Sequence, residues 1–157
     1  MDVIFLDVDG VLATPCSRRL NRLLRRGPAS LLLDPRAMRQ LRWLVRRSGA
    51  AVVLSSTWRD GLYLEECRPL TGNLFRRLAD NGTPVFDAVP VLDSGDKGDE
   101  IAAWLAAHPC RRFVILDDHD FFGRRSALHC RWVRVPGRAG LRRRQAMQAL
   151  RVLQDPR

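Results

Sequence analysis

The side chains with the clearest chemical potential are two aspartates near the start of the chain. Asp7 and Asp9 follow the apolar run at residues 3–6, which is typical of a buried strand in a parallel sheet. Open α/β sheets bind ligands outside the carboxyl ends of such strands. Two carboxylates at that edge would repel each other unless a cation lay between them, which favours Mg²⁺. Gly10 then permits a sharp turn whose backbone amides face an anion.

Further reactive side chains follow other predicted strands or begin a predicted helix. Ser55 and its neighbours come after the apolar run at residues 50–54, and Asp117 and Asp118 follow the run at residues 113–116. Lys97 opens a predicted helix and is the only lysine among 27 basic residues. A compact, flexible ammonium suits a crowded anionic site in which a planar guanidinium does not.

These segments, taken together, carry a family resemblance. The sequences VIFLDVDGVL, LSSTWR, the DKGDE segment with Lys97, and ILDD lie in the order found in the haloacid dehalogenase (HAD) superfamily of aspartyl-phosphate phosphohydrolases, and the resemblance spans residues 3 to about 120. The LSSTWR segment, a minimal cap and a basic surface are also similar to HAD domains associated with nucleic-acid (RNA) repair, including polynucleotide 3′-phosphatases.

The resemblance implies a role for each of these residues. Asp7 would attack phosphorus, Asp9 would act as acid and then base, and Lys97 would neutralise the phosphoryl oxygens. Ser55 would bind a phosphoryl oxygen, with Ser56 and Thr57 as alternatives. The resemblance further implies a Mg²⁺ ion held by Asp7, the Asp9 backbone carbonyl and Asp118. Asp117 would lie near Lys97, and the sequence leaves open which of Asp117 and Asp118 touches the metal.

The predicted fold is a three-layer α/β, Rossmann-like HAD fold with a parallel central sheet and a minimal cap. We expect one domain over residues 1–157, with a short cap-like insert at about 13–33. Residues 16–26 predict a basic amphipathic helix in that insert, with Leu20, Leu23 and Leu24 as its apolar face. Residues 62–81 predict a helical segment interrupted at Pro69 and Gly72. Leu141, Met147, Leu150 and Leu153 are the expected core face of the last helix.

Composition limits the alternatives. The four cysteines are widely spaced, which predicts reduced thiols and no zinc site. Acidic residues interrupt the N-terminal apolar run, and no apolar run is long enough to span a bilayer, so we expect a cytoplasmic protein without membrane contact. The formal charge of +10 bears on partners or solubility and not on the fold.

The substrate class has three interpretations, and the oligomeric state is open. Arg59 follows the serines closely enough to bind a substrate phosphate. Arginines of the cap segment, of residues 124–125 and of residues 142–144 predict contact with a nucleic-acid backbone, and hence action on 3′- or 5′-phosphate ends. A small-molecule or nucleotide phosphomonoesterase is the alternative, in which the arginines reflect composition. A non-catalytic HAD-like binding module is the third, against which the intact Asp7, Asp9, Lys97 and Asp118 argue.

Overall fold

The chain forms a five-stranded parallel sheet flanked by helices, as the sequence predicted. The computed structural model describes residues 1–24, 32–120 and 126–155. The strands lie in the order β3-β2-β1-β4-β5, so β3 and β5 are the edge strands. The elements are β1 (Asp2–Leu6), α1 (Pro15–Leu23), α2 (Pro35–Ser48), β2 (Ala51–Leu54), α3 (Arg68–Asp80), β3 (Val85–Ala88), α4 (Lys97–Ala107), β4 (Arg112–Asp117), β5 (Trp132–Arg134) and α5 (Arg143–Gln154), with 3₁₀ turns at Thr57–Leu62, Glu65–Cys67 and Ser126–Arg131.

The first crossover helix shows why the local sequence folds as it does. The Asp34 carboxylate accepts hydrogen bonds from the backbone N–H groups of Arg36 and Ala37, at 2.8 and 3.4 Å, and so caps α2. Pro35 occupies the first turn, where its missing N–H costs nothing. Gly49 ends the helix with a φ of 67°, which a glycine adopts without steric cost.

Alternation along β1 sends its side chains into two cores, one on each face of the sheet. Ile4 and Leu6 pack with buried residues of α2, α3 and α5. Val3 and Phe5 face the other way and pack with Ile101 and the ring of Trp104 from α4, at 5.3 Å between the Phe5 and Trp104 ring centroids. Helices therefore cover both faces of β1, which fixes the strand ends relative to α4.

Two helix predictions were wrong in detail. Pro69 does not interrupt a helix but lies in the first turn of α3, and Gly72 lies inside that helix. In α5, Met147 is 41% exposed, because Ala146 and Ala149 form the buried face together with Leu153. Small residues on that face allow α5 to pack closely, and periodicity of large apolar residues alone misses them.

The cap segment begins as a helix, as predicted. Thr14 and Ser17 cap α1 reciprocally through side chain and backbone. Leu20, Leu23 and Leu24, the predicted apolar face, are about half exposed or more. The rest of the predicted cap helix, residues 25–26, lies outside the described residues, as do Arg124 and Arg125.

Within the described ranges, no helix has both the length and the apolar character needed to cross a membrane. The single-domain assignment over residues 1–157 and the insert bounds of 13–33 stay predictions.

Candidate active site

Three polar side chains meet at one edge of the sheet because their strands are in register. Leu6 of β1 is paired with Leu54 of β2 and with Leu116 of β4. Asp7, Ser55 and Asp117 each follow one of these residues, so their side chains lie on the same face of the sheet, towards α4. The ladder continues past the strand end, since the N–H of Asp7 donates to the Leu116 carbonyl at 3.0 Å.

Lys97 ties two of these carboxylates together from the first turn of α4. Its Nζ donates to Asp7 Oδ1 at 3.0 Å and to Asp117 Oδ2 at 2.5 Å. Asp96 caps the helix by accepting from the Asp99 N–H at 3.0 Å, which fixes the turn that presents the lysine. The expectation that Asp117 lies beside Lys97 is therefore met.

The charges in this cluster perturb one another. Burial raises the pKa of the Asp7 carboxyl to about 6; Lys97 acts against this rise and the negative charge of Asp117 adds to it. Burial alone would lower the pKa of Lys97, but the charges of Asp7 and Asp117 outweigh it, so the pKa is raised. Asp7 is thus a carboxylate that water solvates poorly and that one cation partly neutralises.

Asp118 occupies a narrow space made by two glycines. A Cβ placed on Gly10 would lie 2.2 Å from Asp118 Oδ2, and one placed on Gly137 would lie 2.4 Å from the same oxygen. Gly10 also has a φ of 73°. Its N–H already donates to the Ala13 carbonyl at 2.9 Å, so the glycine provides the turn and the space for Asp118, and its amide is not available to the substrate contact that the sequence predicted.

The acidic edge has the donor chemistry that Mg²⁺ requires. Ligand atoms of Asp117, Asp118 and His119 lie within 4.8 Å of one another. Both Asp117 oxygens are used, by Lys97 and by the His119 N–H at 2.9 Å, which leaves Asp118 as the better-placed ligand. Hard carboxylate oxygens from Asp7 and Asp118 fit Mg²⁺. His119 has an 83% exposed side chain whose Nδ1 lies 2.7 Å from Asp118 Oδ1.

Asp9 is held at both oxygens by residues whose contacts the sequence did not predict. The indole N–H of Trp58 donates to Asp9 Oδ2 at 3.0 Å. Arg18 of α1 donates to Oδ1. Arg18 was grouped with arginines that bind nucleic acid, but its described contact is with this acid. The sequence signal for Trp58 was its place directly after the strand-end serines, where an aromatic ring with a polar handle is within reach of Asp9.

The Ser55 hydroxyl is buried and has no hydrogen-bond partner in the part of the chain that the structure describes. An unsatisfied buried hydroxyl costs about 1–3 kcal/mol, so such groups point to an absent partner. Ser55 lies on the same face as Asp7, where a phosphoryl oxygen would fill this requirement. Ser56 and Thr57, the two alternatives, line the cavity described below.

Arg59 forms a buried ion pair that joins the turn after β2 to α4. Its Nη2 donates to Glu100 Oε1 at 2.7 Å, and both side chains are almost fully buried. Its Nε has no partner among the described atoms. The guanidinium lines the cavity, but one of its N–H groups donates to the Glu100 carboxylate. The sequence did not predict that Glu100 lies here. Substrate binding by Arg59 stays a prediction.

A cavity of about 530 Å³ lies beside most of these groups, although Ser55 is not part of its wall. Its wall includes Asp7, Asp9, Lys97, Asp118 and Ser56. A buried carboxylate paired with a lysine, a second carboxylate two residues on, and a metal-fitting edge are the parts of phosphoryl-transfer chemistry.

The chain matches the family model described as the HAD domain in Swiss Army Knife RNA repair proteins, over residues 3–146. It belongs to this family. The HAD assignment made from VIFLDVDGVL and the later segments is therefore confirmed, as is the likeness to RNA-repair HAD domains. Family membership supports a HAD-type phosphatase at the level of the superfamily. No curated protein matches the chain.

Proposed function

We propose that this HAD domain is a Mg²⁺-dependent phosphatase that works through a phosphorylated Asp7. The observation that carries the proposal is the buried Asp7 carboxylate, which Lys97 holds at 3.0 Å while Lys97 is itself fixed by Asp117 at 2.5 Å. A buried carboxylate whose pKa is raised to about 6 and that pairs with a lysine is typical of a catalytic site. The third interpretation, a non-catalytic module, is for this reason the weakest.

In the first step, an oxygen of Asp7 attacks the phosphorus of the substrate and the bond to the leaving oxygen breaks. Lys97 and the Ser55 hydroxyl lie on the same side of the sheet as Asp7 and would bind phosphoryl oxygens. Asp9 gives its proton to the leaving alcohol. Trp58 holds one Asp9 oxygen, while the half-exposed Arg18 can release the other when the leaving group arrives.

In the second step, Asp9 takes a proton from water and the water oxygen attacks phosphorus. The bond between phosphorus and Asp7 breaks, which releases inorganic phosphate, returns Asp7 to its carboxylate and leaves Asp9 protonated, as it was before the first step. Splitting one displacement in two is ordinary nucleophilic catalysis. Asp7, Asp118 and the Asp9 backbone carbonyl would hold Mg²⁺, which supplies charge compensation for the phosphoryl group.

Terminal phosphates of nucleic acid are the substrate class that we propose. The description of the family names RNA repair proteins. Helix α1, which contacts Asp9 through Arg18, also carries the exposed Arg19 and Arg22. A cap helix of nine residues closes the site less than a large cap domain would. A nucleotide or another small phosphate ester is the second candidate, since about 530 Å³ lies within the usual range of small-molecule sites.

The deciding experiment is a phosphatase screen with Mg²⁺. It compares a generic phosphate ester, mononucleotides, and oligonucleotides with 3′- or 5′-phosphate, each with and without EDTA and each with the Asp7→Asn variant as control. We expect metal-dependent release of phosphate, fastest from an oligonucleotide end, and an acid-stable phosphorylated protein after rapid quenching that Asp7→Asn lacks.

Each part of the proposal has its own contrary result. Turnover that continues in EDTA would contradict the metal dependence. Phosphorylation that persists in Asp7→Asn would contradict the assignment of Asp7 as the nucleophile. An oligonucleotide hydrolysed no faster than a mononucleotide would favour the small-molecule phosphatase.

A further inference from the structure

Arginines and acids are segregated among the helices. Helices α1, α2 and α5 contain eleven arginines and no acidic residue. Helices α3 and α4, with the 3₁₀ turns Thr57–Leu62 and Glu65–Cys67, contain five basic and six acidic residues. A compositional preference for arginine explains the absence of lysine, but it does not explain why acids are excluded from three helices.

Helices α2 and α5 present these arginines on one continuous surface. The helices pack against each other, Arg142 bonds Asp34 at 2.9 Å where both helices begin, and the Arg143 guanidinium lies 3.7 Å from the centroid of the Trp43 ring. We call the exposed arginines of the two helices the α2–α5 arginine surface; they are Arg36, Arg39, Arg42, Arg46, Arg47, Arg143, Arg144 and Arg151. No described acid forms an ion pair with any of the five from α2.

Two depressions lie along this surface. One, of about 580 Å³, lies between α1 and the beginning of α2, and its wall includes Leu20, Arg36, Arg39 and Arg138. The other, of about 340 Å³, is lined by Arg39, Arg42, Trp43, Arg46 and Arg47. They share Arg39. Helix α1 in turn reaches the site through the bond from Arg18 to Asp9. A row of cations therefore runs from the catalytic acid to the far end of α2.

The chemistry of the row fits a polynucleotide backbone. From Arg36 to Arg47 the helix rises about 16 Å, so the row has the length of several nucleotides and offers repeated charges, not a single anion pocket. An anionic membrane would need apolar side chains beside the charges. Among the described residues only Met147 is a large, exposed apolar side chain on α2 or α5, and the exposed leucines of this region, Leu20, Leu23 and Leu24, lie at α1. An acidic protein partner would need an apolar centre. In the depression of about 340 Å³, Trp43 is the only large apolar side chain in the described wall.

We infer that the α2–α5 arginine surface binds the phosphodiester backbone of the substrate strand, beyond the terminal phosphate that the site hydrolyses. The inference rests on the proposed function, because the direction of the strand depends on binding of its terminal phosphate at the active site. It adds the surface that binds the rest of the strand outside the cavity. Binding is electrostatic and independent of base sequence.

A charge-matched pair of variants tests this surface. The test triple is Arg42→Gln, Arg46→Gln and Arg47→Gln on α2, and the control triple is Arg68→Gln, Arg76→Gln and Arg77→Gln on α3, all at exposed positions. Both lose three charges, and none of the six residues belongs to the catalytic machinery. Circular dichroism melts check that both triples are folded.

Affinity is measured by fluorescence anisotropy in an Asp7→Asn background, with a phosphorylated single-stranded RNA of about 12 nucleotides. We expect the α2 triple to raise Kd at least about tenfold at low salt, and to reduce the slope of log K against log salt by about 2, since each lost contact removes about 0.7. The α3 triple should leave both unchanged. A phosphorylated dinucleotide, too short to reach α2, should bind all three proteins alike.

Three results would overturn the inference. Equal losses in both triples would mean a response to net charge, and no loss in either would mean that the surface is unused. Loss of binding to anionic lipid vesicles without loss of RNA binding would assign the surface to a membrane.

Activity separates this inference from the proposed function. If the wild-type protein hydrolyses phosphate esters and the α2 triple binds RNA normally, only the inference about the α2–α5 arginine surface is refuted. A protein inactive on every ester, whose RNA binding still depends on α2 and not on α3, refutes the phosphatase alone.

Discussion

The active site and the α2–α5 arginine surface carry charge in opposite ways. In the site, Asp7 and Asp117 are almost fully buried and share the same lysine at 3.0 and 2.5 Å. On the surface, arginines are exposed and no described acid pairs with the five from α2. Short buried contacts depend on particular atoms and are screened little by salt, whereas exposed charges act together and are screened strongly. Substitutions in the two regions should therefore fail differently, the first in turnover and the second in affinity.

The largest effect is expected from Asp7→Asn. Removing the nucleophile while keeping the volume should lower Mg²⁺-dependent phosphatase activity by at least about 1000-fold, because no phosphorylated intermediate can form. Steady-state turnover of a generic phosphate ester measures this, and circular dichroism verifies the fold. Turnover at the wild-type rate by the folded variant would refute the covalent mechanism.

Lys97→Arg should be the next most damaging change, although it preserves charge. The wider guanidinium has to fit where Nζ now contacts two carboxylates, so we expect activity to fall by about 100-fold. The matched exchange is Arg46→Lys on α2, which should leave ester turnover unchanged. If Lys97→Arg kept activity within a few-fold of wild type, the single lysine would be a replaceable charge and the contrast between the two regions would be lost.

The fold and the positions of these two residues could be predicted because both depend on local signals. Apolar runs that stop at acid or hydroxyl residues predicted β1, β2 and β4, and parallel pairing then brings their ends together. The segment that Lys97 opens predicted the start of α4.

The remaining contacts depend on residues distant in sequence. Gly137 contributes to the space around Asp118 from the segment after β5, and Glu100 meets Arg59 across 41 residues. Neither residue has a local signature. In sequence, Gly137 cannot be distinguished from an ordinary turn glycine, and Glu100 cannot be distinguished from a glutamate on the surface of a helix. The contact of Arg18 with Asp9 was missed for the same reason, since in an arginine-rich helix nothing distinguishes the arginine that reaches Asp9.

Trp58→Phe should have a smaller effect that is specific to proton transfer. The substitution keeps an aromatic ring, although a smaller one, while the hydrogen bond to Asp9 Oδ2 is lost, so Asp9 is less well oriented and kcat should fall about tenfold. Single-turnover assays should show the largest loss for substrates with poor leaving groups, which need the proton most. Trp43→Phe on α2 is the matched control and should leave kcat unchanged. A uniform loss across leaving groups would mean that Trp58 supports the fold and not the acid.

The smallest effect concerns Asp34, the acid that lies among the arginines of the second region. Burial opposes its ionisation, but the hydrogen bonds from Arg142 and from the Arg36 and Ala37 N–H groups outweigh this and lower the pKa of the carboxyl. A carboxyl whose pKa is lowered by folding stabilises the protein above its unfolded pKa of about 3.9, and loses that contribution as pH falls through the folded value. Asp34→Asn keeps a capping oxygen but not the charge.

We therefore expect Asp34→Asn to lower the free energy of unfolding by about 1 kcal/mol near neutral pH. The difference from wild type should shrink as the pH falls below about 4, because wild-type Asp34 then becomes protonated and is neutral, as asparagine is. Urea unfolding of both proteins across this pH range measures it. A difference that does not depend on pH would mean that Asp34 acts only as a helix cap. Its ion pair with Arg142 would then not offset the repulsion among the arginines where α2 and α5 begin.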